Sequence, residues 1–333
     1  MSTSAATFTR PLGQSWGRYL PVMATGMLLL VAIAVGGLLY DNFITGQVLA
    51  NILITNSHLI ALAVGLTFVI LTGGIDLSVG AVVALSAMIA ARLMDGGWPA
   101  AAAIPIVLLM GSLLGLLVGL MIHYFRIQPF IATLAAMFLA RGMCYVISIQ
   151  SIPINERFFV YMSRKRITVL PNTTITPAVL VALAMVVIGF YILHYTRFGR
   201  TVYAIGGSEP SAVLMGLPVP RVKVSVYVIS GFCAALGGML YTFNAVQSGN
   251  PLHAIGMELD AIAAVAIGGT LLTGGYGFII GSLLGVLVIG TISSIIRFSG
   301  TLNSGWTRIA SGLLVLGFIV MQRLITLGRD SRG

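Results

Sequence analysis

Charge is what this chain has least of. Only 8% of its 333 residues are Asp, Glu, Lys or Arg, against roughly a quarter in a soluble globular chain. With 58% hydrophobic residues beside them, the polar side chains cannot coat a water-soluble domain. The shortage is uneven, with 18 basic residues against 8 acidic ones and a formal charge of +10. A nucleic-acid surface would gather that excess on one face, whereas here it is scattered between apolar segments, as membrane topology and anionic lipid require.

Cysteine is scarce as well. Cys144 and Cys233 are far apart in apolar sequence, with no CxxC spacing, which excludes a disulfide framework and reads as two small core residues. The only lysines are Lys165 and Lys223, and neither follows a glycine, so there is no GxxxxGK[ST] phosphate loop and no ATP hydrolysis by that route. His58, His123, His194 and His253 are widely spaced with no HExxH pattern, so neither a metal site nor an intramembrane metalloenzyme finds support.

What the chain does have is apolar runs of about twenty residues, the length that crosses a hydrocarbon core of about 30 Å. Hydropathy gives about ten, near 22–40, 47–71, 77–94, 100–121, 129–149, 173–194, 224–243, 258–272, 277–296 and 305–322. The expectation is an all-α polytopic membrane protein of about ten transmembrane helices, with the N- and C-termini cytoplasmic. The segment before the first run has no short apolar core and small-residue cleavage site, so that run is expected to be a retained span. This divides the chain into a cytoplasmic N-terminal segment, 1–21, a single membrane domain, 22–322, and a cytoplasmic tail, 323–333. In that orientation ten basic residues, among them Arg126, Arg197, Arg200, Arg221 and Lys223, fall inside and five outside, the asymmetry of the positive-inside rule. Four of the outer five lie in the 150–172 loop, which argues the other way.

Four groups of residues stand out from the apolar background. The string "LTGGIDLSVG" ends the second run with Gly73, Gly74 and Asp76, and a carboxylate in hydrocarbon needs donors. Asp76 can cap the third span through the amides near Ser78, and the same glycine break can line a transport path; the two readings are compatible. "LTGG" returns at 272–275, with a glycine six positions after the pair in both copies, Gly80 and Gly281, which hints at two related halves. Asn51, Thr55 and His58 repeat at helical spacing on one face of the second span, with Asn56 beside them. They either bond a neighbouring helix or line a path for a hydrated solute.

Arg141 falls mid-span and needs a partner, for which Glu258 and Asp260 are candidates as an intramembrane ion pair. Lastly, the polar stretch 197–223 contains "SEPSAVLMGL", Ser208, Glu209, Pro210, Ser211, Ala212, Val213, Leu214, Met215, Gly216 and Leu217. A capping serine, an acidic and proline-bearing first turn and a stopping glycine describe a helix too short to stand alone in water, so it is expected to dock.

"LTGGIDLSVGA", "RFGRTVYAIGG" with the following "SAVLMGL", and "ELDAIAAVAIGGTLLTGGYG" together resemble the permeases of bacterial sugar ABC importers of the ribose type, over roughly residues 45–322. "SIPIN" at 151–155 looks like the galactofuranose branch of that group. The resemblance implies a permease in the bacterial inner membrane, carrying a monosaccharide delivered by a periplasmic binding protein. It implies a second permease subunit, expected to be a different paralogue, and a separate cytoplasmic ATPase that binds the ATP and Mg while this chain holds no cofactor. It also implies that Ser208–Leu217 is the ATPase-coupling helix and that the 150–172 loop faces the binding protein. An ion-coupled transporter would instead need titrating carboxylates deep in the membrane, and a membrane enzyme would act as a lone chain.

Overall fold

The protein is described here by a computed structural model covering residues 19–300 and scattered positions between 305 and 320. The long helices in chain order are α1 (Leu20–Leu39), α2 (Gly46–Leu71), α3 (Val79–Asp95), α4 (Ala100–Tyr124) and α5 (Pro129–Ile147). A loop region follows, with β1 (Ile152–Pro153), the short helix α6 (Arg157–Arg164), β2 (Ile167–Leu170) and β3 (Thr173–Ile175). The chain recrosses as α7 (Pro177–Tyr195), turns through α8 (Arg197–Gly207) and α9 (Glu209–Leu214), and returns as α10 (Val219–Tyr241). A π turn at Thr242–Val246, the strand β4 (Ser248–Gly249), α11 (Met257–Ile267) and α12 (Ile279–Ser299) complete the described part.

Hydropathy overcounts the spans. Among the described residues seven helices are long and apolar enough to cross a membrane: α1, α2, α4, α5, α7, α10 with its π turn, and α12. The predicted third span is α3, 17 residues long, and the predicted eighth is α11, only 11. Eleven residues rise about 16 Å, half of a hydrocarbon core. The error has a physical cause, because hydropathy counts apolar side chains without asking whether the backbone is helical. Residues 258–272 stay apolar while the helix stops at Ile267, and Gly269 takes φ +86°. The predicted tenth span, 305–322, and the terminal segments 1–21 and 323–333 lie largely outside the described residues.

Among the described residues the only strands form two small antiparallel ladders. Ile152 and Pro153 pair with Gly249 and Ser248, and β2 pairs with β3. α2 is the axis of the bundle. From Leu59 to Leu71 every residue is buried, so its apolar character all round matches a helix enclosed on every side. α7, α10, α11 and α12 surround it.

The tightest approach is between α4 and α10. Gly111, Gly115 and Gly119 repeat every four residues on α4, and a Cβ at any of them would strike the α10 backbone near Gly231, Tyr227 or Val224. This is the small-residue interface that lets membrane helices pack where water gives no drive to associate.

Candidate functional site

The break after α2 is built from its glycines. Gly73 (φ +77°) turns the chain where a residue with a side chain is strained, and residues 74–78 form an irregular link to the start of α3. Asp76 is 2% exposed. Its Oδ1 accepts from the Ser78 amide at 3.0 Å and the Ser78 hydroxyl at 2.6 Å, and its Oδ2 accepts from the Ser230 hydroxyl of α10 at 2.7 Å. Ser230 is eleven residues from either end of α10, so the carboxylate lies near half depth. The residue flanking α3 is Ser78 itself, and it makes no side-chain cap bond to that helix; Asp76 organises the turn before it and ties it to α10.

The two "LTGG" copies meet in space. The Gly275 amide donates to the Leu71 carbonyl at 2.9 Å, and the ideal Cβ of Gly73 lies 3.4 Å from the Thr273 carbonyl. Gly206 of α8 closes the same junction, with no room for a Cβ between the Leu71 oxygen and the Gly275 amide. The starts of α3 and α11 also adjoin. A Cβ at Gly80 would collide with the Glu258 carboxylate and the Ala254 carbonyl. Two shortened helices thus begin side by side inside the bundle, an arrangement that puts irregular backbone at membrane depth only where protein can satisfy it.

The α8–α9 segment sits at the end of the bundle where α2 stops. The Ser208 hydroxyl accepts from the Ser211 amide at 3.3 Å, Pro210 occupies the first turn, and Gly216 (φ +72°) ends the segment. Ala212 is buried, while Val213, Leu214 and Met215 are 57%, 88% and 66% exposed. Glu209 pairs with Lys223 of α10 at 2.9 Å, and the Leu217 amide donates back to the Ala212 carbonyl at 3.1 Å. The tip is fixed at its base and apolar at its crown.

The polar residues of α2 do not act as one stripe. Asn51 and Thr55 are exposed, and Asn51 accepts from Gln47 at 2.9 Å. Asn56 turns toward Gly290 of α12 and bonds the Ile52 carbonyl at 2.8 Å. His58 faces the Tyr241 ring of α10, centroids 5.1 Å apart.

Arg141 finds carbonyl oxygens where a carboxylate was expected. Its Nη1 donates to Pro251 O at 2.5 Å and to His253 O at 2.7 Å, so carbonyl dipoles of the 250–256 loop, rather than Glu258 or Asp260, receive its charge. The Glu258 carboxylate is instead turned to Gly80 of α3.

At the opposite end from α9, helix α6 carries Arg157, Arg164 and Lys165 around an open cleft of about 480 Å³. Its inner face stacks Phe159 on Phe243 of the π turn at 4.0 Å, and Gln247 donates to Ser163 at 2.5 Å. Asn244 of the same turn donates to Ile54 O at 3.1 Å and Ser57 Oγ at 2.8 Å of α2. Ser230, Tyr241, Asn244 and Gly206 carry these junctions and are silent in sequence, because each is an ordinary residue until its distant partner is known.

Residues 48–321 match the family described as branched-chain amino acid transport system / permease component. A fructose import permease protein, FruG, of Bifidobacterium longum is 42% identical over 94% of this chain and 94% of its own length. The Escherichia coli inner membrane ABC transporter permease protein YjfF is 43% identical over 95% of each. The E. coli ribose import permease protein RbsC is 36% identical over 95% of this chain and 97% of its own. No solved structure matches.

Proposed function

This chain belongs to the branched-chain amino acid transport system / permease component family and is the permease component of a sugar ABC importer in the inner membrane, and from that premise we propose its cargo, partners and coupling. The family implies an ATPase and a periplasmic binding protein in general terms. In the proposed assembly ATP and Mg are bound by a separate cytoplasmic ATPase, and a second, different permease completes the path.

The observation that carries the coupling reading is the crown of α9. Three successive apolar side chains face outward on a segment anchored by Glu209–Lys223 and Gly216. Exposed apolar groups held on a rigid base suit a groove in a partner. Ser208–Leu217 is therefore assigned to the ATPase. Because α8 meets both glycine breaks at Gly206, a push on α9 reaches the turn that leads into α3 and the turn that follows α11 as a rigid displacement. The basic face of α6 is assigned to the binding protein, and Asn51, Thr55, Asn56 and His58 to the path. Path groups need only replace water in turn, since a tight midway site would slow release.

Galactofuranose is the proposed cargo, supported by "SIPIN" at 151–155, the stretch that resembles the galactofuranose branch of these permeases. Fructose is the second reading, since a relative named for fructose import is 42% identical.

Co-expression with neighbouring genes and purification through a tag tests the assembly. Recovery of an ATPase and a second permease, with ATP-driven uptake of labelled galactofuranose in vesicles, is expected. A lone chain moving sugar under an ion gradient without ATP would overturn the importer reading, and preferential uptake of fructose would replace the cargo.

A further inference from the structure

The 250–256 loop drops from the end of α10 into the bundle to start α11 beside Gly80. Three side chains and one guanidinium gather around it from four elements: His58 of α2, Tyr241 of α10, His253 of the loop itself and Arg141 of α5. The Tyr241 ring is edge-on to both imidazoles, at 5.1 Å from His58 and 5.7 Å from His253. Nδ1 of His58 and Nδ1 of His253 are both buried without a hydrogen-bond partner among the described residues. Arg141 spends only Nη1 on the loop carbonyls, and its Nε and Nη2 make no described bond.

Leaving a buried donor or acceptor unmade costs about 1–3 kcal/mol each, and most buried polar atoms in folded proteins avoid it. A purely structural cluster of this composition would close its groups on one another. Here the aromatic edges touch while the polar atoms stay open.

We propose that Arg141, Tyr241, His253 and His58 form a contact site for a single monosaccharide in the outer half of the path, just before the junction of α3 and α11. This rests on the reading of the chain as a sugar permease. A cyclic polyol fits the constellation on two counts. Its hydroxyls each donate and accept, matching imidazole nitrogens of either tautomer and the spare guanidinium donors. Its C–H face suits the apolar body of Tyr241, an amphipathic ring with a polar tip. The fixed charge of Arg141 opposes a metal or organic cation there. Arg141 also positions the site by holding the loop that carries His253.

The test uses the whole importer, co-expressed with its ATPase and binding protein and reconstituted in vesicles. The probe is whichever of labelled galactofuranose, fructose and ribose the wild-type complex moves fastest. Sugar taken up and ATP hydrolysed are measured on the same vesicles. His253→Ala and Tyr241→Phe are each expected to lower sugar moved per ATP by roughly three- to tenfold, the worth of about one hydrogen bond. His253→Gln, which keeps a donor and an acceptor, is expected to recover most of the loss. Tyr241→Phe keeps the ring packing and guards against simple misfolding. A parallel fall in uptake and hydrolysis, or an unchanged ratio in both variants, would overturn the site while leaving the importer intact. Failure of the wild-type complex to move any of the three sugars would overturn the importer reading, and the site with it.

Discussion

Asp76 shows how one residue is set by its surroundings. Its two oxygens are shared between its own turn and Ser230 of α10, so Ser230→Ala leaves Oδ2 without that partner. That change is expected to cost about 1–3 kcal/mol, read as a lowered unfolding midpoint in detergent micelles, and Ser230→Thr should restore most of it. An unchanged midpoint in the alanine variant would mean that Asp76 is satisfied without α10. Adjacent glycines make a sharper contrast. A Cβ at Gly206 would run into the Leu71 oxygen and the Gly275 amide, whereas one at Gly207 meets nothing within 4 Å. Gly206→Ala is expected to destabilise by about 1–3 kcal/mol, the usual scale of overpacking, while Gly207→Ala stays near wild type in membrane abundance. Equal abundance of the two variants would refute the close approach. Nothing in the string "IGGS" distinguishes its two glycines, since the difference lies in strands of backbone 135 and 69 positions away (206 to 71, and 206 to 275).

At the scale of elements, α9 and α6 mark the two ends of the bundle. Leu214 is 88% exposed and touches little of its own chain, so Leu214→Asp is expected to leave insertion and abundance unchanged. Under the proposed coupling it abolishes co-purification of the ATPase, and Gly216→Pro does the same by displacing the tip. Normal sugar-stimulated ATP hydrolysis in both variants would remove α9 from the coupling path. The Glu209–Lys223 pair is partly exposed, so breaking it with Lys223→Met is expected to cost under about 1 kcal/mol. The short helix of α9 was legible in sequence because capping, proline and glycine signals are local. The partner of Arg141 was not, since a charge in a span announces only that something must satisfy it. Carbonyls of a turned loop serve as well as a carboxylate, and only the path of the chain from 250 to 256 decides between them.

For the whole molecule, the number of crossings is the quantity most open to test. Single cysteines placed at Trp98, Gln150 and Ile255 of a variant with Cys144 and Cys233 replaced by alanine can be probed with a membrane-impermeant thiol reagent. Positions 98 and 150 fall in connections after α3 and α5, and labelling of both from one face is expected. Position 255 precedes α11, the helix too short to cross, and is expected to react slowly from that same face, through the outer half of the path. Labelling of 255 as fast as that of 98 and 150 would mean that the 250–256 loop lies at the membrane surface and not inside the bundle.

The sequence by itself determined that this is a helical, multi-pass membrane protein, that it carries no GxxxxGK[ST] phosphate loop, and that 208–217 is a short capped helical segment. These follow from side-chain transfer and local backbone preference, which act over a few residues. Only the tertiary structure decided that α3 and α11 are shortened and start together, that the two "LTGG" copies lie against each other, and that Arg141 serves a loop. Those outcomes depend on which distant backbones approach closely enough to exclude a Cβ or to accept a proton, a constraint that apolar sequence satisfies in many ways and the fold in one.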